Sequence, residues 1–519
     1  MVQEFSRHNL GASRRAVLGM LTGLAGSVAL AACGGSTVAT AATPSVSSTQ
    51  TTSAAQTGVT VATTAQARSA TATSASAATS SSAVASSATL AASTVSSQAT
   101  TAAAASAPAA GVVTINHLDW WSPNTPVLVT FFNGNKADFE QKNPNVKVNY
   151  LFAASVDEVR QKWIVSTAGG VPPDTSQIDV TFIRDLMQAS LVEPLDTYIA
   201  KSPDMAMSNF VASGLYYNQQ GGHTYGIPFD GPQVLCIAYN TDHFQEAGLD
   251  PSKNFTWKWT TEQFLDAANK LNRTQGGKTV RGGMQPFGLS PRPYSGWLYA
   301  NGGDFYNQDY SKVLFNSQQG QNALQVGQDL WTRYPFQVPG DTSAKAGDHG
   351  LGGFEAGVYS MTYTGTYTAG YILDANPKLN FRFAPLPQGP LAKSTGSMAF
   401  TNMYAMSQGG KQKAAAWEWV SQVNSEPAQE KYFAQVQNRP SARKAVYQSA
   451  AWAAVVKAQP AVDGVETLVP ETKQFPWIAF TKVSTDTAPI WTKVQKGQIT
   501  VSDALAQMEP IVDKDIAGQ

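Results

Sequence analysis

From Val112 onward, short apolar runs alternate with stretches whose apolar residues recur at helical spacing. Ile115 to Trp121 predicts a strand that breaks at Ser122-Pro123-Asn124. A helix follows with Phe131, Phe132 and Phe139 on its apolar face, ending near Asn143-Pro144. Val146, Val148, Tyr150 and Phe152 alternate as a second strand, with one side chain in two on each face. The next helix carries Val159, Trp163 and Ile164 and is stopped by Gly169-Gly170, with Pro172-Pro173 beyond. A short strand leads to Ile178-Asp179, and a helix starts near Arg184. Further on, Thr260 and Gln263 form a capping box ahead of Phe264, Ala267, Ala268 and Leu271. Gln319 to Tyr334 reads as a helix, Val358 to Tyr363 as a strand and Lys411 to Val423 as a helix, and Thr500 with Asp503 predicts a last N-cap. Strands alternating with helices imply an α/β architecture. About 400 residues exceed what one core serves, which implies two lobes.

The first 111 residues follow a different pattern. A polar start with Arg7 and Arg14-Arg15 leads into an unbroken apolar stretch from Ala16 to Ala32, built of small residues. It ends in Leu30-Ala31-Ala32-Cys33, the lipobox that a lipoprotein signal peptidase reads, and must be set aside from fold reasoning. Ser13-Arg14-Arg15-Ala16-Val17-Leu18 also resembles a twin-arginine signal, with Val17 where that pattern favours Phe. Cleavage would leave Cys33 acylated, and two or more acyl chains hold a protein at a membrane almost permanently. From Gly34 to Gly111 the chain is nearly all Ala, Ser, Thr, Val, Gln and Gly, with Arg68 its sole charge. Such a segment cannot bury enough apolar area to offset the entropy of ordering it, so it reads as a disordered tether. Its r.m.s. reach is on the order of 50 Å.

Composition narrows the function. Of the two cysteines, Cys33 is taken by the lipobox, so Cys236 has no disulfide partner and reads as a buried thiol in an apolar run. Lys and Arg number 36 and balance 36 Asp and Glu, which leaves no basic footprint for nucleic acid. Five scattered histidines offer no metal-ligand spacing, and neither a metal nor a cofactor is expected. Gly277-Lys278-Thr279 superficially matches the end of a phosphate loop, but Asn272 stands where the first glycine belongs and a helix precedes it.

Several stretches, in order, resemble the family-1 extracellular solute-binding proteins of ABC importers, the group typified by maltose-binding protein. They are Phe139-Glu140 with Asn143-Pro144-Asn145-Val146-Lys147-Val148; Gly170-Val171-Pro172-Pro173-Asp174; and Leu191-Val192-Glu193-Pro194-Leu195-Asp196, with Ser190 replacing a usual Gly. Tyr225-Gly226-Ile227-Pro228-Phe229-Asp230, Trp259-Thr260-Thr261-Glu262-Gln263-Phe264, Asn301-Gly302-Gly303-Asp304 and Pro385-Leu386-Pro387 continue the series. The resemblance covers Val112 to Asp515. It implies a periplasmic-binding-protein-like α/β fold: two doubly wound lobes, a hinge, and a ligand in the interlobe cleft. Lobe 1 would comprise about 112–229 and 388–424, and lobe 2 about 230–387 and 425–519. It further implies a monomer on the outer face of the cytoplasmic membrane, anchored at Cys33, capturing a carbohydrate and passing it to ABC permease subunits.

Cleft residues in such folds lie in loops at the carboxyl ends of strands. The first such loop offers Trp121, Ser122 and Asn124; the third offers Asp179 and Phe182; the hinge offers Asp230 and Gln233. The second lobe offers Arg292, Tyr294, Tyr367, Ser397 and Trp477. Carboxylates and amides suit sugar hydroxyls, which both donate and accept, and aromatic faces suit the C–H patch of a pyranose. Trp120 and Trp121 point to opposite faces, so one belongs to the core; Trp297, Trp331 and Trp419 read as packing residues, and Asp179 could instead cap the following helix. An alternative from another class is a surface-tethered hydrolase, for which Asp179, Asp230 and Asp304 could supply two carboxylates.

Overall fold

The computed structural model describes residues 111–340, 350–394, 396–476 and 478–517. The export signal with Arg14-Arg15, the lipobox with Cys33, the tether and Trp477 all lie outside the described residues.

The first lobe starts with β1 (Val113–Asp119), which pairs in parallel with β2 (Val146–Phe152) on one side and β3 (Thr175–Ile178) on the other. Between them, α1 (Pro126–Lys142) has proline in its first turn, where a missing N–H costs nothing, and buries Val127, Leu128, Phe131, Phe132 and Phe139. Helix α2 (Val156–Ala168) begins at Ser155, whose hydroxyl accepts the Glu158 N–H at 3.1 Å. It buries Val159 and Trp163 and ends at Gly169-Gly170, while Ile164 stays partly in solvent. Helix α3 (Ile183–Gln188) follows β3.

After a two-residue hairpin of β4 (Gln219–Gln220) and β5 (His223–Thr224) comes β6 (Ile227–Asn240), 14 residues long and buried throughout. The hairpin β7 (Arg273–Gln275) and β8 (Lys278–Arg281) turns at Gly276-Gly277, both left-handed, so Gly277-Lys278-Thr279 is a turn leading into a strand. The main sheet is completed by β9 (Met361–Gly365), β10 (Phe381–Ala384), β11 (Ser397–Met406) and β12 (Thr472–Gln474). Its order is β10-β6-β11-β3-β1-β2, with β9 also on β6 and β12 on β11.

Two neighbouring antiparallel strands, β6 and β11, therefore run through both lobes. Phe229 packs with Trp121, Phe131 and Tyr404 in the first lobe, whereas Val234, Cys236 and Ala238 join Phe354, Phe381 and Phe383 in the second. The transition falls at Gly231 (φ 128) and, on β11, where the pairing slips twice between Phe400 and Met403. Such irregularities re-aim a strand locally. The return thus lies downstream of Gln388, whose backbone is tied to Trp259 and Thr261 inside the second lobe. Pro385-Leu386-Pro387 is likewise tied into the second lobe, where Trp259 Nε1 donates to the Pro385 carbonyl at 2.8 Å. The last passage comes after Tyr432 and Phe433, which sit in the first core, and before Val446 and Trp452, which sit in the second-lobe core, again later than Ser425. The segment that leads into this passage, Gln429–Val436, is a π-helix.

Local signals read from the sequence reappear as geometry. Thr260 and Gln263 make a reciprocal capping box on the helix Thr261–Leu271, and Thr500 Oγ1 accepts the Asp503 N–H at 3.1 Å. Trp297 and Trp419 are buried, and Cys236 is a fully buried thiol whose burial raises its pKa well above the ordinary value.

Candidate functional site

The floor of the junction between the lobes is a network centred on Asp230. One carboxylate oxygen, Oδ2, accepts from Gln233 Nε2 at 2.6 Å and Asn402 Nδ2 at 3.2 Å; the other, Oδ1, accepts from the Arg439 guanidinium. Both partners of the ion pair are buried. Arg439 also donates to Gln437 Oε1 at 3.1 Å, and its guanidinium lies 4.8 Å from the centre of the Trp121 ring. With those bonds made, Asn402 Oδ1 and Gln437 Nε2 remain buried without a hydrogen-bond partner among the described residues. A buried polar atom left unpaired costs free energy, so each of these two atoms is a group that a ligand would relieve.

Burial pushes the Asp230 carboxyl up to about 6, against the pull of Arg439 and Asn402. The sign of the resulting pH dependence follows. Between that value and the ordinary 3.8, the folded state holds a proton that the unfolded state has released. Asp230 therefore contributes stability that is fully present below pH 3.8 and is lost as pH rises through about 6. Unfolding curves from pH 7 to 4 should show Asp230→Asn lacking this component of the wild-type slope; parallel slopes would contradict it.

A second charge pair bridges the lobes. Asp179, at the end of β3, lies 3.6 Å from Arg292 at the start of the second-lobe helix Pro291–Ala300. Arg292 is held over Phe400 and Phe475, 5.0 Å from each ring centre. Asp179 Oδ1 also accepts the Thr181 N–H at 2.9 Å, a local turn; the residue at the N-cap of α3 is Phe182. On another side of the junction, Asp374 of the second lobe accepts the Val127 N–H at 2.9 Å, a carboxylate at the positive end of α1. Beside it lies a cavity of about 560 Å³ lined by Trp120, Trp121, Ser122 and Asn124 from one lobe and Glu355 and Tyr371 from the other.

The structure therefore gathers Trp121, Ser122, Asn124, Asp179, Asp230, Gln233 and Arg292 at the junction. Tyr367 joins them: burial raises its pKa, with the charges of Arg292, Arg439 and Asp230 acting on it. Its ring closes over Gly365, where a Cβ would meet Tyr367 Cε1 at 2.4 Å. Of the adjacent tryptophans, Trp121 takes the core role, packed on Phe131, Phe229 and Phe433, while Trp120 is the more exposed of the two. Three other candidates are placed in packing. Phe182 is buried in the first lobe; Tyr294 is buried and donates to the Phe315 carbonyl at 3.3 Å; Ser397 is buried and donates to the Leu235 carbonyl at 2.5 Å. Asp304 stands away from this network, paired with Lys473 at 2.6 Å. Sequence reasoning missed Arg439, Asn402, Gln437 and Asp374, and also Asp119, which accepts the Trp121 N–H at 2.7 Å and so fixes the tryptophan loop. Among the described residues no three His, Cys, Asp or Glu side chains cluster so as to hold a metal ion, and no helix is long and apolar enough to cross a membrane.

Two α/β lobes sharing a sheet, with paired charges and aromatic rings at their junction, define a hinged binding protein. The chain belongs to the bacterial extracellular solute-binding protein family, whose profile matches residues 122–430. A binding protein of Brucella abortus is 27% identical over 292 residues, 56% of this chain and 67% of the relative. An ABC substrate-binding protein from Listeria monocytogenes, solved with cycloalternan, superposes with a TM-score of 0.67 at 21% identity, over 78% of this chain and 99% of that one. UgpB from Mycobacterium tuberculosis, solved with glycerophosphocholine, gives a TM-score of 0.65 at 17% identity, over 77% of this chain and 98% of that one. Both likenesses are of fold. The family is one of extracellular binding proteins, which places the chain's work outside the cytoplasm.

Proposed function

We propose that this protein is the substrate-binding lipoprotein of an ABC importer and that it captures a neutral carbohydrate between its lobes. The observation that carries the reading is the pairing of charge at the junction. Among the described residues, both guanidiniums of this network face a carboxylate, Arg439 with Asp230 and Arg292 with Asp179, which disfavours a phosphate-bearing ligand. The orphan Asn402 acceptor and Gln437 donor match a hydroxyl, which donates and accepts at once. Trp120 and Tyr367 add aromatic surface of the kind that sugar C–H groups cover. Binding is favoured over hydrolysis because both oxygens of Asp230 are already engaged by Gln233, Asn402 and Arg439 and Asp179 is held by Arg292, so both carboxylates are committed to protein partners. The lipobox supports an anchor at Cys33, and membership of the family supports delivery to a membrane permease.

A thermal-shift screen of the purified protein against neutral sugars and glycerophosphodiesters tests the ligand class. A sugar present at 100 times its Kd stabilises by about 2.7 kcal/mol, a readily visible shift. Stabilisation by the phosphodiesters alone would overturn the carbohydrate reading, and release of smaller sugars in the same tube would favour a hydrolase. For the anchor, Cys33→Ala should abolish radiolabelled-palmitate incorporation and release the protein from membranes; unchanged labelling would remove the lipobox assignment.

A further inference from the structure

A tyrosine-lined pocket of about 550 Å³, walled by second-lobe residues and by Tyr216 of the first-lobe segment, lies outside the Asp230 network. Its walls come from three separated segments: Tyr216, the hairpin carrying Tyr306 and Tyr310, and the strand end Lys473-Gln474-Phe475. Tyr216 is 43% exposed, a large ring left in solvent beside a concavity. Tyr310 takes the left-handed conformation (φ 59), which disfavours any residue with a side chain, and its surroundings enforce it. Asn307 Oδ1 accepts the Lys312 N–H at 2.9 Å, and Asp309 Oδ1 accepts the Ser311 hydroxyl at 2.6 Å, so the turn is locked. The outcome is that Tyr310 donates to Gln474 Oε1 at 2.9 Å. The rim charges cancel in the Asp304–Lys473 pair. Rings, amides and neutralised charge are again the chemistry of a polyol site.

The pocket meets the interlobe junction at one buried residue. Phe475 lines it, and the same ring carries Arg292, the partner of Asp179. Tyr217, next to Tyr216, accepts the Phe475 N–H at 2.6 Å and so ties the two walls together. We infer that this pocket is an accessory carbohydrate subsite that receives the far end of an oligosaccharide whose first units occupy the cleft. The inference rests on the carbohydrate reading above and extends it from short sugars to chains.

The test is calorimetric titration of the full chain with two series, maltose to maltohexaose and mannobiose to mannohexaose, preceded by the same sugars on a glycan array of wider composition. Tyr216→Ala, at an exposed position, should weaken tetra- to hexasaccharides at least fivefold and leave disaccharides at wild-type affinity, and Tyr216→Phe, which keeps the ring, should restore the longer ones. Asp179→Ala should weaken every length. Wild-type affinity of Tyr216→Ala for every chain length would overturn the accessory subsite while leaving the cleft assignment standing. Absence of any bound glycan on the array with wild-type protein would overturn both. Loss of disaccharide binding in Tyr216→Ala would place the ring in the primary site and overturn the division between the two.

Discussion

Replacing Arg439 with alanine is expected to destabilise the protein by about 3–5 kcal/mol, because it leaves a buried carboxylate without its counter-charge. The loss reaches further than one ion pair. Arg439 also covers the Trp121 ring and fixes the Gln437 side chain, so three groups from different parts of the chain lose their common partner. Part of the cost is relieved if Asp230 takes up a proton, which its raised pKa makes easy. The deficit should therefore shrink as pH falls from 7 toward 5, a direction opposite to ordinary acid destabilisation. Urea unfolding of wild type and Arg439→Ala across that range measures it; a pH-independent deficit below 1 kcal/mol would mean the pair contributes little.

The largest functional effect is expected at Asp179. Its removal strips the lobe-bridging contact to Arg292 and, on the proposed reading, one hydrogen-bond acceptor for a bound hydroxyl. Affinity should fall by about 1–3 kcal/mol, roughly tenfold to over a hundredfold. A ligand shifts a hinge equilibrium only by its preference for the closed form, so the same variant should also close less completely. Small-angle scattering should show a larger radius of gyration for Asp179→Ala than for wild type without ligand, and a smaller fractional contraction at equal sugar concentration. Arg292→Ala should behave alike in scattering, since it removes the other half of the bridge. Wild-type affinity and scattering for both variants would separate this pair from ligand capture.

Much of the architecture is legible in the sequence because it rests on short-range signals. Alternation in Val146–Phe152, the capping box at Thr260 and the glycine stop at Gly169-Gly170 each depend on residues within one turn or strand. The site is less legible, for two physical reasons. Arg292 and Tyr294 sit two residues apart at a helix start, hence about 200° around its axis, so one faces the junction and the other the core. Sequence proximity to a cleft loop cannot separate them. Arg439 meets Asp230 across 209 residues and reaches it from the end of a π-helical segment, whose wider turn no apolar spacing announces. Asn402 sits in the middle of β11, where a buried polar side chain among Phe400, Met403 and Tyr404 was the available clue.

The shared sheet has a consequence for biosynthesis. Strand β3 must pair on one side with β11, which is translated about 220 residues later. At ribosomal speeds of roughly 5–20 residues per second, the edge of β3 stays bare for about 10–40 s. An uncovered strand edge is a template for pairing with other chains. The amino-terminal lobe is thus committed to waiting, and a chaperone that holds nascent chains, or prompt passage through a translocon, would protect it during that interval.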